Sequence, residues 1–507
     1  MATERLFSQP DVEPETIAGV LARAGYDVGP WQPVRRSLLD TFDGRLHRAG
    51  LRLEARSSGG LELVLSGGGP AVAGMAVPAL PTLAGDLPAG PFRARLQPVL
   101  DVRALLPVLT VTGRQLVGLR RDRTGKAVVA VTVHDRLATD RPLTPSWAAE
   151  VEEFEGYPAA ATRARQELRS VGLQPLAGDI FELAAVAAGV DLSGFSSSPT
   201  VALDHREPAI DGFRRVLSNL VQAIDANWQG TLDAVDPEFL HDLRVAVRRS
   251  RSVLALGKKV LPGDVRDRYR EGFGWLGAAT GPARDLDVYL IEWAGYVAPL
   301  GSAVGAALVP VVDHIAGQCQ AEHAALAEML RSDKYRSLMA AWRDWLAAPY
   351  RPGGALPLLG PVVSERLADA QNQLVGRGRR IGPATPAEEL HELRKDAKKL
   401  RYLLECFGGV LPPAPRRAFV DRLKALQDNL GEHQDTEVHA GQLRSISRQM
   451  ADAGAAPPEL LLAMGQLTEA FERRRMAARA DFADRFAAYD TKQTRRTFDE
   501  LVKAAAR

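Results

Sequence analysis

Cysteine is nearly absent from the 507 residues, with Cys319 and Cys406 the two that the sequence holds. Two thiols cannot build a disulfide framework, and neither has Cys or His neighbours at zinc-ribbon spacing, so buried, inert thiols and no metal site are expected. Aromatic residues are also sparse, at 6%. They do not interleave the basic segments described below, which argues against nucleic acid as a partner. No apolar run approaches the ~20 residues of a membrane-spanning helix, so no membrane partner is expected. The opening Met-Ala-Thr-Glu-Arg-Leu-Phe lacks a basic region followed by an apolar stretch, which makes a cytoplasmic location the expectation. A His-Glu-x-x-His pair, a nucleophile elbow and a phosphate-cradling Gly-Lys-Ser/Thr loop are missing. Gly67-Gly-Gly-Pro70 reads as a loop and Gly125-Lys126 as part of a hairpin.

What remains is an ordinary globular composition, 46% hydrophobic and 25% charged, in a chain too long for one core. The net charge of +2 conceals an uneven distribution. A multidomain fold is expected, α+β followed by all-α. Up to about Leu183 short apolar strands alternate with Gly and Pro: Leu51 to Arg56, Leu61 to Leu65, Leu116 to Arg121 and Ala127 to Val133, with Asp122 to Lys126 as a hairpin turn. Helices are expected over Pro14 to Ala24 and Ala159 to Val171. Asp191 to Thr200 is small, polar and ends at Pro-Thr, the signature of a linker, so residues 1–185 are assigned to one domain, 186–205 to the linker and 206–507 to a second domain. Beyond the linker apolar residues recur every three or four positions, broken at Pro262-Gly263, Pro349 to Pro361, Gly376 to Pro386 and Pro412-Pro413, as in an all-α domain.

That second domain repeats itself. His241-Asp-Leu-Arg-Val-Ala-Val-Arg-Arg-Ser-Arg251 matches His391-Glu-Leu-Arg-Lys-Asp-Ala-Lys-Lys-Leu-Arg401 at an offset of 391 − 241 = 150, and Leu276/Leu426, Gly281/Gly431, Asp285/Asp435 and Val288/Val438 keep it. Two repeats follow, at about 208–350 and 358–507, and two packed copies place their basic helices at equivalent positions. At ~100° per residue, His241, Arg244, Arg248 and Arg251 fall within an arc of ~80°, as do His391, Arg394, Lys398 and Arg401. Leu243, Val247 and Leu254, and Leu393, Ala397, Leu400 and Leu404, form the opposite, buried stripes. With Arg249, Lys395 and Lys399 alongside, each helix presents a row of cations that repel one another unless an anion sits there. Arg forks and Lys point charges suit phosphate oxygens, and an extended polyphosphate suits two rows better than a compact ligand does. A solvated basic face paired with neighbouring acids is the bland alternative. It leaves unexplained why a His begins both rows and why the stripe persists in both copies. Asp285 and Asp435 are read as helix N-caps or as salt-bridge partners of basic side chains.

The duplicated His-x-x-Arg-x-x-x-Arg-x-x-Arg resembles the CHAD family, the conserved-histidine α-helical domains, from about Pro208 onward. The resemblance implies a two-repeat helical bundle that binds inorganic polyphosphate through His241, Arg244, Arg248, Arg249, Arg251, His391, Arg394, Lys395, Lys398, Lys399 and Arg401. It implies no catalysis and no cofactor, and it implies association with polyphosphate granules.

The first 185 residues resemble a worn CYTH domain, the triphosphate-tunnel β-barrel. Leu39-Asp-Thr41 with Leu46 to Leu53 resembles the segment leading into an early strand, and Glu150-Val-Glu152 a late acidic strand. Ala2-Thr-Glu4-Arg-Leu6 stands where the family carries Glu-x-Glu-x-Lys, whose alternate residues would share one face. The strand Leu61 to Leu65 lacks the family's lysine. Glu4, Arg52, Arg56, Arg120, Glu150 and Glu152 remain for weak anion binding. An inactive tunnel domain is therefore expected, an inorganic triphosphatase using Mg²⁺ or Mn²⁺ being the alternative.

Overall fold

A computed structural model of the chain describes residues 5–57, 60–67, 72–197, 201–349 and 356–507. Glu4, most of the Gly67 to Pro70 loop, residues 198–200 of the linker and much of Pro349 to Pro361 lie outside the described residues. The chain divides into two compact units, Met1–Ser196 and Ser197–Arg507.

The first unit is one antiparallel sheet built from β1 (Leu6–Ser8), β2 (Asp27–Val28), β3 (Gln32–Asp40), β4 (Leu51–Ser57), β5 (Leu61–Gly67), β6 (Val72–Ala76), β7 (Leu106–Arg121), β8 (Ala127–Ala138), β9 (Ala148–Glu153) and β10 (Gln174–Leu176). β7 and β8 are rich in β-branched residues and form the expected hairpin, closed where Asp122 N–H donates to Lys126 O at 2.9 Å and Gly125 N–H to Asp122 O at 3.0 Å. Helices Pro14–Arg23 and Pro158–Ser170 stand where the apolar spacing puts them.

The barrel expectation is corrected. The strands run β10-β1-β9-β8-β7-β3-β4-β5-β6 with β2 attached to β7, and among the described residues the two edges do not pair. Helix Ile180–Ala188 packs Ile180, Phe181, Ala184 and Ala185 against Leu6, Leu38, Leu109, Val111, Leu137 and Ala148. Asp179 caps this helix, accepting from Phe181 N–H at 2.8 Å and Glu182 N–H at 3.1 Å. A second helix, Pro91–Leu100, covers β4 and β5. Sheet faces buried under helices have no need of closure to exclude water.

The boundary between the two units, at Ser196/Ser197, falls inside the expected linker of residues 186–205. Residues 186–188 continue the helix, and Phe195 is held by the first unit, its ring centroid 5.3 Å from that of Phe42 and its N–H donating to Phe42 O at 3.0 Å. Packing one half-buried aromatic ring on another holds this end of the segment despite its small, polar neighbours.

The second unit is helical throughout, apart from one isolated bridge. Helices start at Ala209, Pro237 and Gly263 in the first repeat and at Leu359, Ala387 and Pro413 in the second, each pair offset by 150. The repeats then diverge. In the first, the third helix stops at Ala279 and a new one runs Gly281–Val297, because Pro282 offers no N–H to the preceding turn. In the second, Glu432 takes that place and a single helix runs Pro413–Asp452. The copies share a core in which Tyr289, Tyr296 and Ile315 of the first pack with Leu443, Met464 and Phe471 of the second.

Candidate functional site

The first basic helix, Pro237–Leu256, starts at an Asp236 cap that accepts from Glu238 N–H at 2.9 Å and Phe239 N–H at 3.3 Å. The second, Ala387–Cys406, has no side-chain cap and carries Glu388 and Glu389 in its first turn, where they complement the helix dipole. Leu243, Val247, Leu254, Leu393, Ala397, Leu400 and Leu404 are all buried. The cationic faces are therefore anchored as the periodicity requires.

The two helices meet around a cavity of about 590 Å³ lined by Arg248, Arg251 and Arg270, by Lys395, Lys398 and Lys399, and by two carboxylates, Asp267 and Glu271. Among the described residues no carboxylate lies within ion-pair distance of Arg248, Arg251, Arg270, Lys398 or Lys399. Arg248 Nε is buried without a hydrogen-bond partner. Lys395 lines the same cavity but pairs with Glu392 one turn back. Burial together with the charges of Arg394, Arg248 and Arg401 pushes the Lys398 ammonium down to about 8, Asp435 alone opposing. Burial accounts for most of this lowering and the like charges add to it, and a bound anion would offset both.

The other expected residues take different places. Arg249 points to a separate cavity and pairs with Glu405 at 2.6 Å. Arg401 binds the same Glu405 at 3.3 Å and donates to Gln427 Oε1 at 3.0 Å. Arg394 holds Asp435 through both carboxylate oxygens, at 3.0 and 3.1 Å. Arg394, Lys398 and Arg401 also line a smaller cavity of about 310 Å³, where Arg474 joins them and Glu292, Asp428, Glu432 and Asp435 balance the charge. His391 Nδ1 lies 2.8 Å from Gln434 Oε1 and His241 is half-buried; neither lines the larger cavity. The structure thus gathers Arg248, Arg251, Lys395, Lys398 and Lys399 in one place, and it sets Arg244, Arg249, Arg394, Arg401 and both histidines apart from it.

Arg244 shows why equivalent residues differ. It donates to Gly277 O at 3.1 Å and Thr280 Oγ1 at 2.9 Å, at the carbonyl end that the Pro282 break leaves exposed. The uninterrupted second-repeat helix offers Arg394 no such end, and Asp435 takes its place. Asp435 lies deep inside a helix, and Asp285 follows Thr280, the N-cap, by five positions, so neither caps a helix. The repeated glycines lie beside these guanidiniums, but a Cβ would meet them only at ordinary contact distance, 3.5 Å from Arg244 Nη1 at Gly281 and 3.7 Å from Arg394 Nη2 at Gly431. Burial pushes the Asp285 carboxyl up, Arg244 pulls it back, and Asp435 pushes it further, which brings the two repeat carboxylates into each other's field.

Arg270 escaped the sequence reading. Its counterpart 150 residues on is Val420, so the repeat that singled out the other cations is silent about it.

In the first unit, Arg36 on β3 binds Glu54 on β4 and donates to Glu150 on β9 at 2.9 Å, with His134 Nε2 3.2 Å from the same Glu150 oxygen. Arg56 also donates to Glu54, at 3.1 Å, and Arg52 pairs with Asp179. Burial opposes it, yet the bond from His134 and the charge of Arg36 hold Glu150 below the usual carboxylate range. Arg120 pairs with Glu167 at 2.9 Å, and Glu152 is exposed. Phe181 lies against Arg36, its ring centroid 5.4 Å from the guanidinium carbon. A metal at Glu150 or a triphosphate at Arg52 would have to break these pairs.

Fold and site define a class: a duplicated helical bundle with unpaired cations concentrated where its two basic helices meet. Residues 215–444, all within the second unit, match the family model of the CHAD domain. The solved structures that the chain is similar to include these two. One is the crystal structure of the CHAD domain from the plant Ricinus communis, 28% identical, TM-score 0.45, covering 60% of this chain and 96% of that one. The other is PptA from Streptomyces chartreusis, 16% identical, TM-score 0.45, covering 55% of this chain and 100% of that one. No curated protein matches the chain.

Proposed function

We propose that the helical unit binds inorganic polyphosphate in the cavity between its basic helices and breaks no bond in doing so. The observation that carries this reading is the set of five cations, Arg248, Arg251, Arg270, Lys398 and Lys399, facing one cavity without ion-paired carboxylates. The presence of a CHAD domain supports a polyphosphate-binding or related role. Lys398 lines both the larger and the smaller cavity, so a ligand that extends past it keeps meeting basic side chains, as a linear polyanion does. Arg supplies planar forks to phosphate oxygens and Lys supplies mobile point charges, and neither demands a base sequence or a metal.

The first unit, in this reading, is a tunnel-type relative whose interior charges have been turned on one another, and it hydrolyses no triphosphate. Neither Mg²⁺ nor Mn²⁺ is needed, and a place at polyphosphate granules inside the cell follows from the ligand.

The test is binding of polyphosphate to the full chain at several salt concentrations. Each neutralised phosphate contributes a log-log slope of roughly 0.7 to 0.9, by analogy with nucleic acids. Replacing Arg248, Arg251, Lys398 and Lys399 with Gln should weaken binding and reduce the slope by about three. Unchanged affinity and slope would remove the site from consideration, and DNA competing equally at fixed salt would replace the ligand.

A further inference from the structure

Away from the basic helices, Asp287 on helix Gly281–Val297 meets Cys319 and His323 on helix Val309–Arg331. Cys319 and His323 are four residues apart and so share a face one turn apart. His323 Nε2 lies 2.8 Å, and Cys319 Sγ 3.4 Å, from Asp287 Oδ1. One ligand atom from each of the three lies within 4.8 Å of the others, the one such group among the described residues. Asp287 and Cys319 are each only 7% exposed.

We infer that Asp287, Cys319 and His323 form a binding site for a divalent cation of the zinc type. The donor set is one thiolate sulfur, one imidazole nitrogen and one carboxylate oxygen, a combination suited to a borderline-soft ion and poorly suited to Mg²⁺ or Ca²⁺. Zinc bonds of ~2.3 Å to sulfur and ~2.0 Å to nitrogen and oxygen place tetrahedral ligands roughly 3.3 to 3.5 Å apart. Without metal, Cys319 Sγ already stands at such a distance from Asp287 Oδ1, 3.4 Å, and His323 Nε2, at 2.8 Å, would have to draw back slightly. The deprotonated thiol and the carboxylate together neutralise a 2+ charge, which makes the ion tolerable in a buried place.

One further atom points the same way: Asp287 Oδ2 is buried without a hydrogen-bond partner. Without metal, the carboxylate accepts from the ring N–H and the thiol through one oxygen and leaves the other unsatisfied. On binding, the thiol proton goes to solvent, the ring proton moves from Nε2 to Nδ1, and Nε2 gives its lone pair to the ion. Water completes the fourth position. The ion would then staple two helices that otherwise meet through side-chain packing.

The experiment uses the full chain, without an affinity tag, stripped by chelator and titrated with Co²⁺ and then Zn²⁺. The expected result is one equivalent of Co²⁺ giving thiolate-to-metal charge-transfer and tetrahedral d–d absorption, lost when Zn²⁺ displaces it. Cys319→Ser should abolish the charge-transfer band and Cys406→Ser should leave it. His323→Gln, which retains a polar group, should weaken binding by more than the roughly ten- to hundred-fold caused by losing a hydrogen-bond partner of a ligand. Circular dichroism and polyphosphate binding verify that the variants are folded. Absence of the band in the wild-type chain, or its survival in Cys319→Ser, would overturn the inference and leave a hydrogen-bonded trio.

Discussion

Pro208 and Leu358, 150 positions apart, face each other in an isolated antiparallel bridge. Its bonds are reciprocal: Ala209 N–H donates to Pro357 O and Leu359 N–H to Glu207 O, both at 2.8 Å. Shifting every residue of one bond by 150 produces the other, which is what a two-fold relation between the repeats requires. The same relation brings Arg248 of one copy into the field of Lys398 of the other.

Affinity should fall as pH rises through about 8. Lys398 is held down to about 8 in the free protein, and a bound polyanion favours its charged form, so binding takes up a proton there. Fluorescence titrations between pH 7 and 9 should show weakening that Lys398→Arg removes. The sign for folding is opposite. An ammonium depressed in the folded state costs stability while it is charged, so the ligand-free protein gains stability from about pH 8 toward the ordinary lysine value.

Arg249→Ala separates stability from binding. The residue pairs with Glu405 and lines another cavity, so its loss should cost about 1 to 2 kcal/mol in chemical denaturation while leaving the salt slope for polyphosphate unchanged. A reduced slope would return Arg249 to the site.

Asp435→Asn should tighten polyphosphate binding several-fold. It releases Arg394 from its ion pair and removes a negative charge from the adjoining cavity that a polyanion would meet. Isothermal titration at low salt checks this, and unchanged or weaker binding would mean that Arg394 does not reach the ligand.

Arg36→Ala should destabilise the first unit by roughly 3 to 5 kcal/mol, because Glu54 and Glu150 lose their shared cation. In the wild type, burial holds His134 below its usual value, so stability falls as pH drops through about 6.5. Glu54 and Glu150, held below theirs, take more away as they protonate in stronger acid. Hydrogen exchange in β3, β4 and β9 as a function of pH reads both effects, and the variant should lose the carboxylate part.

Much of the helical unit was legible because helix periodicity and the repeat are properties of consecutive residues. The stripe Leu243, Val247, Leu254 is buried as its spacing requires, and the 150-residue offset holds for three successive helix starts. Helix Ile180–Ala188 was less legible. Its residues are almost all apolar and show little periodicity, and the local mark of a helix is the capping box of Asp179 with Glu182 three positions on.

The cationic stripe itself was plain, but the fate of each cation was not. Arg248 and Arg249 are adjacent in sequence, yet one lines the shared cavity and the other is neutralised by Glu405, 156 positions away. A helix places neighbours ~100° apart, so local periodicity can say which face each occupies. It cannot say which face will meet an acid, because that acid arrives from a distant segment. The sequence by itself therefore determined the two copies, their amphipathic helices and their basic character. Tertiary structure alone decided which charges remain unpaired, since ion pairing falls off within a few ångströms and depends on side chains that only folding brings together.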